Sequence, residues 1–213
     1  MAVYTEQLGN FTFTLTDACF PLGSDSLALG DFAAVKRNWR VCDLGCGGGT
    51  LLLLLARREQ SLTLTGVELD ENAAECARGN LADNGLQGKI FTADLREKGL
   101  LPNEGFDLVI SNPPYFPTDT GKTGGMARSE ENCTLDELCA AANRLLKTGG
   151  RFALVHRPER LADLLTTLRA HKLEPKRLQF VSCACDRSPS AVLLEAVKNG
   201  GVGLEVLPLH LTD

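Results

Sequence analysis

The chain has 213 residues, 44% hydrophobic and 23% charged, which suits one domain with a full core spanning 1–213. Its formal net charge of −5 gives no overall attraction for nucleic acid, so any such partner must be met by a local basic patch. The opening MAVYTEQLGN has no basic n-region or apolar h-region, and the longest apolar run, LLLLLA over 51–56, is too short to cross a bilayer, so a cytoplasmic protein without a membrane partner is expected.

In chain order, residues 1–38 read as an N-terminal cover. Phe11, Phe13 and Leu15 alternate with Thr12, Thr14 and Thr16, the period of a half-exposed strand or hairpin, and Ser24 or Asp25 is placed to cap a short helix. From 39 to 198, β-rich runs at 40–44, 62–68, 89–92, 106–111, 151–156, 175–182 and 191–198 alternate with helical stretches at 50–58, 71–83, 135–146 and 158–170. That alternation predicts an α/β fold with a seven-stranded, mostly parallel sheet and helices on both faces. Asn84-Gly85 offers a left-handed stop to the second core helix, and Thr134-x-x-Glu137 is a capping box for the third. The segment 116–133 carries no element and is rich in Gly, Thr and charge, as long functional loops are. Residues 199–213 form a tail. The eight cysteines form no CxxC pair or dense framework and read as reduced, mostly buried thiols; neither they nor the three histidines have zinc-ligand spacing, so no metal is expected.

Two stretches carry chemistry. VCDLGCGGGT, 41–50, puts Asp43 and a run of glycines where the first core strand turns into a helix, so a ligand can approach the backbone at a helix N-terminus. A dinucleotide fingerprint would need a third glycine where Thr50 stands, which argues against NAD. The second stretch is NPPY, 112–115, at the end of the fourth core strand. Taken alone it could be a turn that merely stops the strand, because proline cannot donate to the ladder. It also suits methylation of a planar nitrogen, whose lone pair is delocalised. The Asn112 oxygen and the Pro113 carbonyl, its direction fixed by Pro113 and Pro114, can accept the two amine hydrogens, and Tyr115 offers a stacking face.

D-x-G-x-G-x-G over 43–49 resembles the first motif of class I S-adenosylmethionine-dependent methyltransferases, and VELD, 67–70, resembles their acidic second motif. The resemblance implies that Glu68 holds the cofactor ribose, because a carboxylate can accept two hydroxyl hydrogens at once. Asp94 of FTADL, 91–95, is then a group for the adenine amine, and Asp43, Gly45, Cys46, Gly47, Gly49, Leu69, Leu95 and Asn112 complete the cofactor positions. With NPPYF, ARSEENCTLDE at 127–137 and GGRFALVHRPERL at 149–161, most of 20–198 looks like the tRNA valine adenine-N6 methyltransferases. That family implies S-adenosyl-L-methionine as cofactor, strand order 3-2-1-4-5-7-6 with the last strand antiparallel, and an RNA partner, methylated on adenine N6 in a tRNA anticodon loop. GSDSLALGDFA, 23–33, resembles its N-terminal helix, which puts Asp25 near the methionine end of the cofactor. Tyr115 and Phe116 would meet the substrate, and Arg128 a phosphate, although Glu130 and Glu131 could pair with it instead. The same NPPY occurs in protein glutamine N5-methyltransferases, with close variants in ribosomal RNA guanine-N2 methyltransferases; a silent cofactor-binding module is the non-enzyme alternative. A monomer or homodimer is expected.

Overall fold

The computed structural model describes residues 3–16, 22–113 and 133–212. Of the residues singled out above, Pro114, Tyr115, Phe116, Arg128, Glu130 and Glu131 lie outside them, as does most of the 116–133 segment.

The first two strands, β1 (Val3–Leu8) and β2 (Phe11–Thr16), form the expected hairpin around Gly9-Asn10, and β2 buries Phe11, Phe13 and Leu15 while its threonines stay partly exposed. The hairpin docks through side-chain amides instead of another strand. On helix α3 (Glu71–Asp83) Asn80 exchanges two hydrogen bonds with the Thr14 backbone, 2.8 and 2.9 Å, and Asn84 just beyond it does the same with Thr12, 2.8 and 2.6 Å. Two asparagines one helical turn apart thus satisfy one edge of β2, which a lone hairpin would leave open.

Helix α1 (Ser24–Phe32) follows, and here the capping expectation is corrected: extended Gly23 is the N-cap, without a side-chain bond, and Ser24 and Asp25 lie inside the first turn. The core then runs β3 (Arg40–Leu44), α2 (Thr50–Arg58), β4 (Thr63–Glu68), α3, β5 (Gly88–Thr92), β6 (Phe106–Ser111), α4 (Leu135–Leu145), β7 (Leu146–His156), α5 (Leu161–Ala170), β8 (Leu173–Ser182) and β9 (Ala191–Lys198). Spatial order is β5-β4-β3-β6-β7-β9-β8, with β9 antiparallel to both neighbours, which is the expected 3-2-1-4-5-7-6. In the tail, β10 (Glu205–Val206) and β11 (His210–Leu211) pair in parallel with β8 and cover its outer edge.

Both end signals on the helices hold. Gly85, at φ +66°, and Leu86 donate to Ala82 and Leu81 in a Schellman turn, and Thr134 and Glu137 form a reciprocal capping box. Strand β7 begins earlier than the reading 151–156, because Leu146 already pairs with Phe106 before a bulge absorbs the Lys147–Gly150 stretch. Alternation along the strands splits the core: Val41, Leu108, Ile110, Ala153 and Val155 face α1, α2 and the hairpin, while Cys42, Val109, Phe152 and Leu154 face α4 and α5. Leu51 to Leu55 of α2 are all buried, since the sheet covers one side and α1 with the hairpin the other. Among the described cysteines none is disulfide-bonded; Cys42, Cys46 and Cys139 are buried, but Cys183 and Cys185 are exposed, against the expectation of mostly buried thiols.

Candidate active site

Strand order reverses between β3 and β6, the switch point at which open α/β sheets bind ligands. The chain leaves β3 through Gly45, Gly47 and Gly49, whose φ angles of +74°, +52° and +85° are strained for any residue with a Cβ. A Cβ at 45 or 47 would meet no atom within 4 Å, so glycine is needed there for the backbone path, and the space beside it is open to a ligand. Gly45 and Cys46 N–H donate to the Val67 carbonyl at 2.8 and 3.1 Å, and Gly47 N–H donates to Glu68 Oε2 at 2.8 Å. Asn80 Nδ2 also donates to the Gly48 carbonyl, at 2.9 Å, so the hairpin's anchor holds the same turn. Cys46 is buried against Gly66, which places its side chain in the packing beneath the turn.

Glu68, at the end of β4, accepts from Leu69 and Asp70 N–H at 2.8 and 3.0 Å as well as from Gly47. Three of a carboxylate's roughly four acceptor sites are therefore taken by backbone, so Glu68 shapes the glycine turn and keeps about one acceptor site free. Asp43 is 1% exposed, with neither carboxylate oxygen hydrogen-bonded among the described residues. Burial, with the charge of Glu68 adding to it, pushes its carboxyl well above the usual carboxylate range. An open glycine cradle, with Glu68 at its edge and beneath it a buried carboxyl that has no partner among the described residues, fits a ligand that brings its own hydrogen-bond donors, such as S-adenosylmethionine.

Just past β5, Asp94 is gripped by the Arg96 guanidinium, which holds its carboxyl below the usual range; Arg96 also reaches Glu137 of the capping box at 3.2 Å. Arg144 fixes the Leu95 carbonyl at 3.1 Å, and Leu95 lines a pocket with Leu44, Gly45, Ser111, Pro113 and His156. Leu69 is 53% exposed beside Glu68, as suits a residue that packs on a base.

At the end of β6, Ser111 Oγ donates to the Leu44 carbonyl at 2.7 Å and locks the two strand ends together. Asn112 follows, its Nδ2 donating to Ser26 Oγ at 3.0 Å. Ser26 adjoins Asp25, so the first turn of α1 and the residue just past β6 meet. Ser26, Ser111 and His156 were not singled out from sequence; no spacing rule links positions 86 residues apart.

His156 is 3% exposed at the end of β7, and its Nδ1 accepts from Arg157 N–H at 2.8 Å. Burial, then the charges of Arg160 and Arg157, lowers its pKa from 6.5 to about 4, so it is neutral at physiological pH. Between pH 6.5 and 4 the unfolded chain binds a proton that the folded one refuses, so stability falls as pH drops through that window. The loss is at most about 3 kcal/mol. Denaturant melts across the window are expected to slope less for His156→Asn than for wild type; equal slopes would remove His156 as the cause.

No helix of the described residues is long and apolar enough to cross a membrane. Residues 23–171 match the methyltransferase small domain family. A tRNA1(Val) (adenine(37)-N6)-methyltransferase of Porphyromonas gingivalis is 33% identical over 199 residues, 87% of this chain and 77% of that one. One of the same name from Dickeya chrysanthemi is 29% identical over 96% of this chain and 85% of its own. Among solved structures, a predicted O-methyltransferase from Agrobacterium tumefaciens matches with TM-score 0.71 and 21% identity over 88% of this chain and 86% of that one. A geranyl diphosphate C-methyltransferase from Streptomyces coelicolor, solved with S-adenosyl-L-homocysteine, matches at 0.62 and 15%, over 81% and 79%. At such identities the two structures speak for the fold alone.

Proposed function

The chain belongs to the methyltransferase small domain family and is an S-adenosylmethionine-dependent methyltransferase; from that premise we propose that it methylates the exocyclic N6 of an adenine in a tRNA anticodon loop. The observation that carries the reading is the Asn112-Pro113 turn at the switch point, next to the glycine cradle, with the Asn112 oxygen unpaired among the described residues. Bound S-adenosylmethionine supplies an electrophilic methyl group. Gly45, Gly47 and Gly49 give it backbone access, Glu68 accepts from ribose hydroxyl, Asp25 faces its cationic end, and Asp43, its ionised form disfavoured by burial, is a buried polar partner beneath the cradle. Leu69 and Leu95 flank its base, and Asp94 is an acceptor for the base amine. Asn112 Oδ1 and the Pro113 carbonyl accept the two hydrogens of the acceptor amine, which turns its lone pair out of conjugation. Tyr115 and Phe116, outside the described residues, are the aromatic side chains the motif offers for stacking on a flipped base. No strong base is needed, because the proton leaves after transfer.

The relatives' names favour tRNA over a ribosomal guanine or a protein glutamine, and a tRNA substrate puts the enzyme in the cytoplasm. Labelled S-adenosylmethionine offered with unmodified tRNA, ribosomal RNA or release factor tests this: label in nuclease-sensitive tRNA supports it, and label only in protein overturns it. With an acidic chain the phosphate contacts must be few. If about four are made, affinity for tRNA drops about a hundredfold between 50 and 200 mM salt. Arg128→Ala should make that slope shallower, and filter binding across salt reads it.

A further inference from the structure

Helix α1 is fastened along its C-terminal half by charged side chains from three elements. Arg58 of α2 donates to the Gly30 and Ala33 carbonyls, the latter at 2.7 Å. Arg177 of β8 donates to the Phe32 carbonyl at 3.1 Å and lies 4.5 Å from the Phe32 ring centroid. Glu195 of β9, fully buried and paired with Arg151, accepts from Ala34 N–H at 3.1 Å. A Cβ at Gly30 would come within 2.9 Å of Leu54, so α1 lies hard against α2. The helix therefore presents its first turn at a fixed place, and Ser26 sits on that turn.

Ser26 Oγ accepts from Asn112 Nδ2 at 3.0 Å, the one hydrogen bond of the Asn112 side chain among the described residues. A primary amide has two nearly isosteric orientations that exchange its oxygen and nitrogen. Only the orientation with the nitrogen on Ser26 leaves the oxygen open to accept from a substrate amine. The flipped one would set N–H against N–H. A serine hydroxyl can accept from the amide nitrogen or donate to the amide oxygen, so Ser26 fixes the place of the amide, and the substrate amine, which offers hydrogens, selects the orientation with oxygen toward it. We propose that Ser26 is a positioning residue for methyl transfer, fixing the Asn112 amide where its oxygen can face the acceptor amine; this rests on the function proposed above.

Groups that orient a reacting side chain cost about ten- to a hundredfold when lost. Ser26→Ala is therefore expected to lower kcat on tRNA by that factor while KM and cofactor affinity stay within about twofold of wild type, and Ser26→Thr, which keeps the hydroxyl, should recover most of it. In an Asn112→Ala background, Ser26→Ala should cost nothing further, because the group it orients is gone. Wild-type kcat in Ser26→Ala, or the same loss with and without Asn112, overturns the proposal. A second reading needs no substrate: the side-chain amide resonance of ¹⁵N-labelled Asn112 should shift in Ser26→Ala and return in Ser26→Thr, and an unmoved resonance overturns it equally. If wild-type enzyme leaves tRNA unlabelled, the function proposed above fails, and the amide resonance still decides the role of Ser26.

Discussion

Replacing Asn112 by alanine is expected to lower turnover a hundred- to a thousandfold and leave cofactor affinity nearly unchanged. The amide oxygen acts on the acceptor nitrogen as positive charge develops there, so its contribution belongs to the transition state and not to the ground-state complex. One such preorganised polar contact is typically worth about 2.7 to 4 kcal/mol. Asn112 lies in a turn whose strand end is already tied by Ser111 to Leu44, so truncating the side chain should leave β6 and the glycine turn in place. Single-turnover rates with labelled cofactor, beside calorimetric cofactor affinity, separate the two effects. Turnover near wild type would reduce the Asn-Pro turn to a strand stop.

Glu68→Ala is expected to weaken S-adenosylmethionine binding on the order of a hundredfold or more. The carboxylate holds the backbone of Gly47, Leu69 and Asp70 and, in the proposed cofactor pose, also meets the ribose, so its loss would remove a ligand contact and loosen the cradle together. Hydrogen bonds to a charged group are worth about 1.5 to 3 kcal/mol each, and two of them suffice for a loss of that size. Glu68→Gln should fall between, because an amide oxygen still accepts but its NH₂ meets a backbone donor. Calorimetry on the three proteins decides it. Affinity unchanged in Glu68→Ala would sink Glu68 as a cofactor residue, and equal affinity of the wild type for NAD would sink the preference for S-adenosylmethionine over a dinucleotide.

Much of the site could be read from the chain because it is local. The glycine turn, the acid ending β4 and the Asn-Pro turn ending β6 each lie within ten residues of a strand terminus, and in a parallel α/β sheet such termini converge at one edge. Where the reading departed from the structure, a non-local cause can be named. From sequence a strand starts at 151, yet β6 also pairs with Leu146 on the other side of a bulge and draws it into that strand. Ser24 and Asp25 read as caps, but the extended Gly23 sets the start of α1. Asn80 of α3 and Asn84 just beyond it carry no signal of the docking they perform, because their partner is the backbone of β2, more than sixty residues away.

The class of fold, the strand order through its resemblance, the helix ends at Asn84-Gly85 and Thr134, and the chemistry-bearing motifs were all legible in the chain, since each depends on residue types a few positions apart and on the strand and helix periods. How those parts act together came from packing. It left Asp43 a buried carboxyl without a partner among the described residues, covered five consecutive leucines of α2, set Glu68 to holding the glycine turn, and brought Ser26 onto Asn112. The reason is physical: burial and hydrogen-bond partnership depend on which surfaces are pressed together when the layers close, and that is a property of the packed whole.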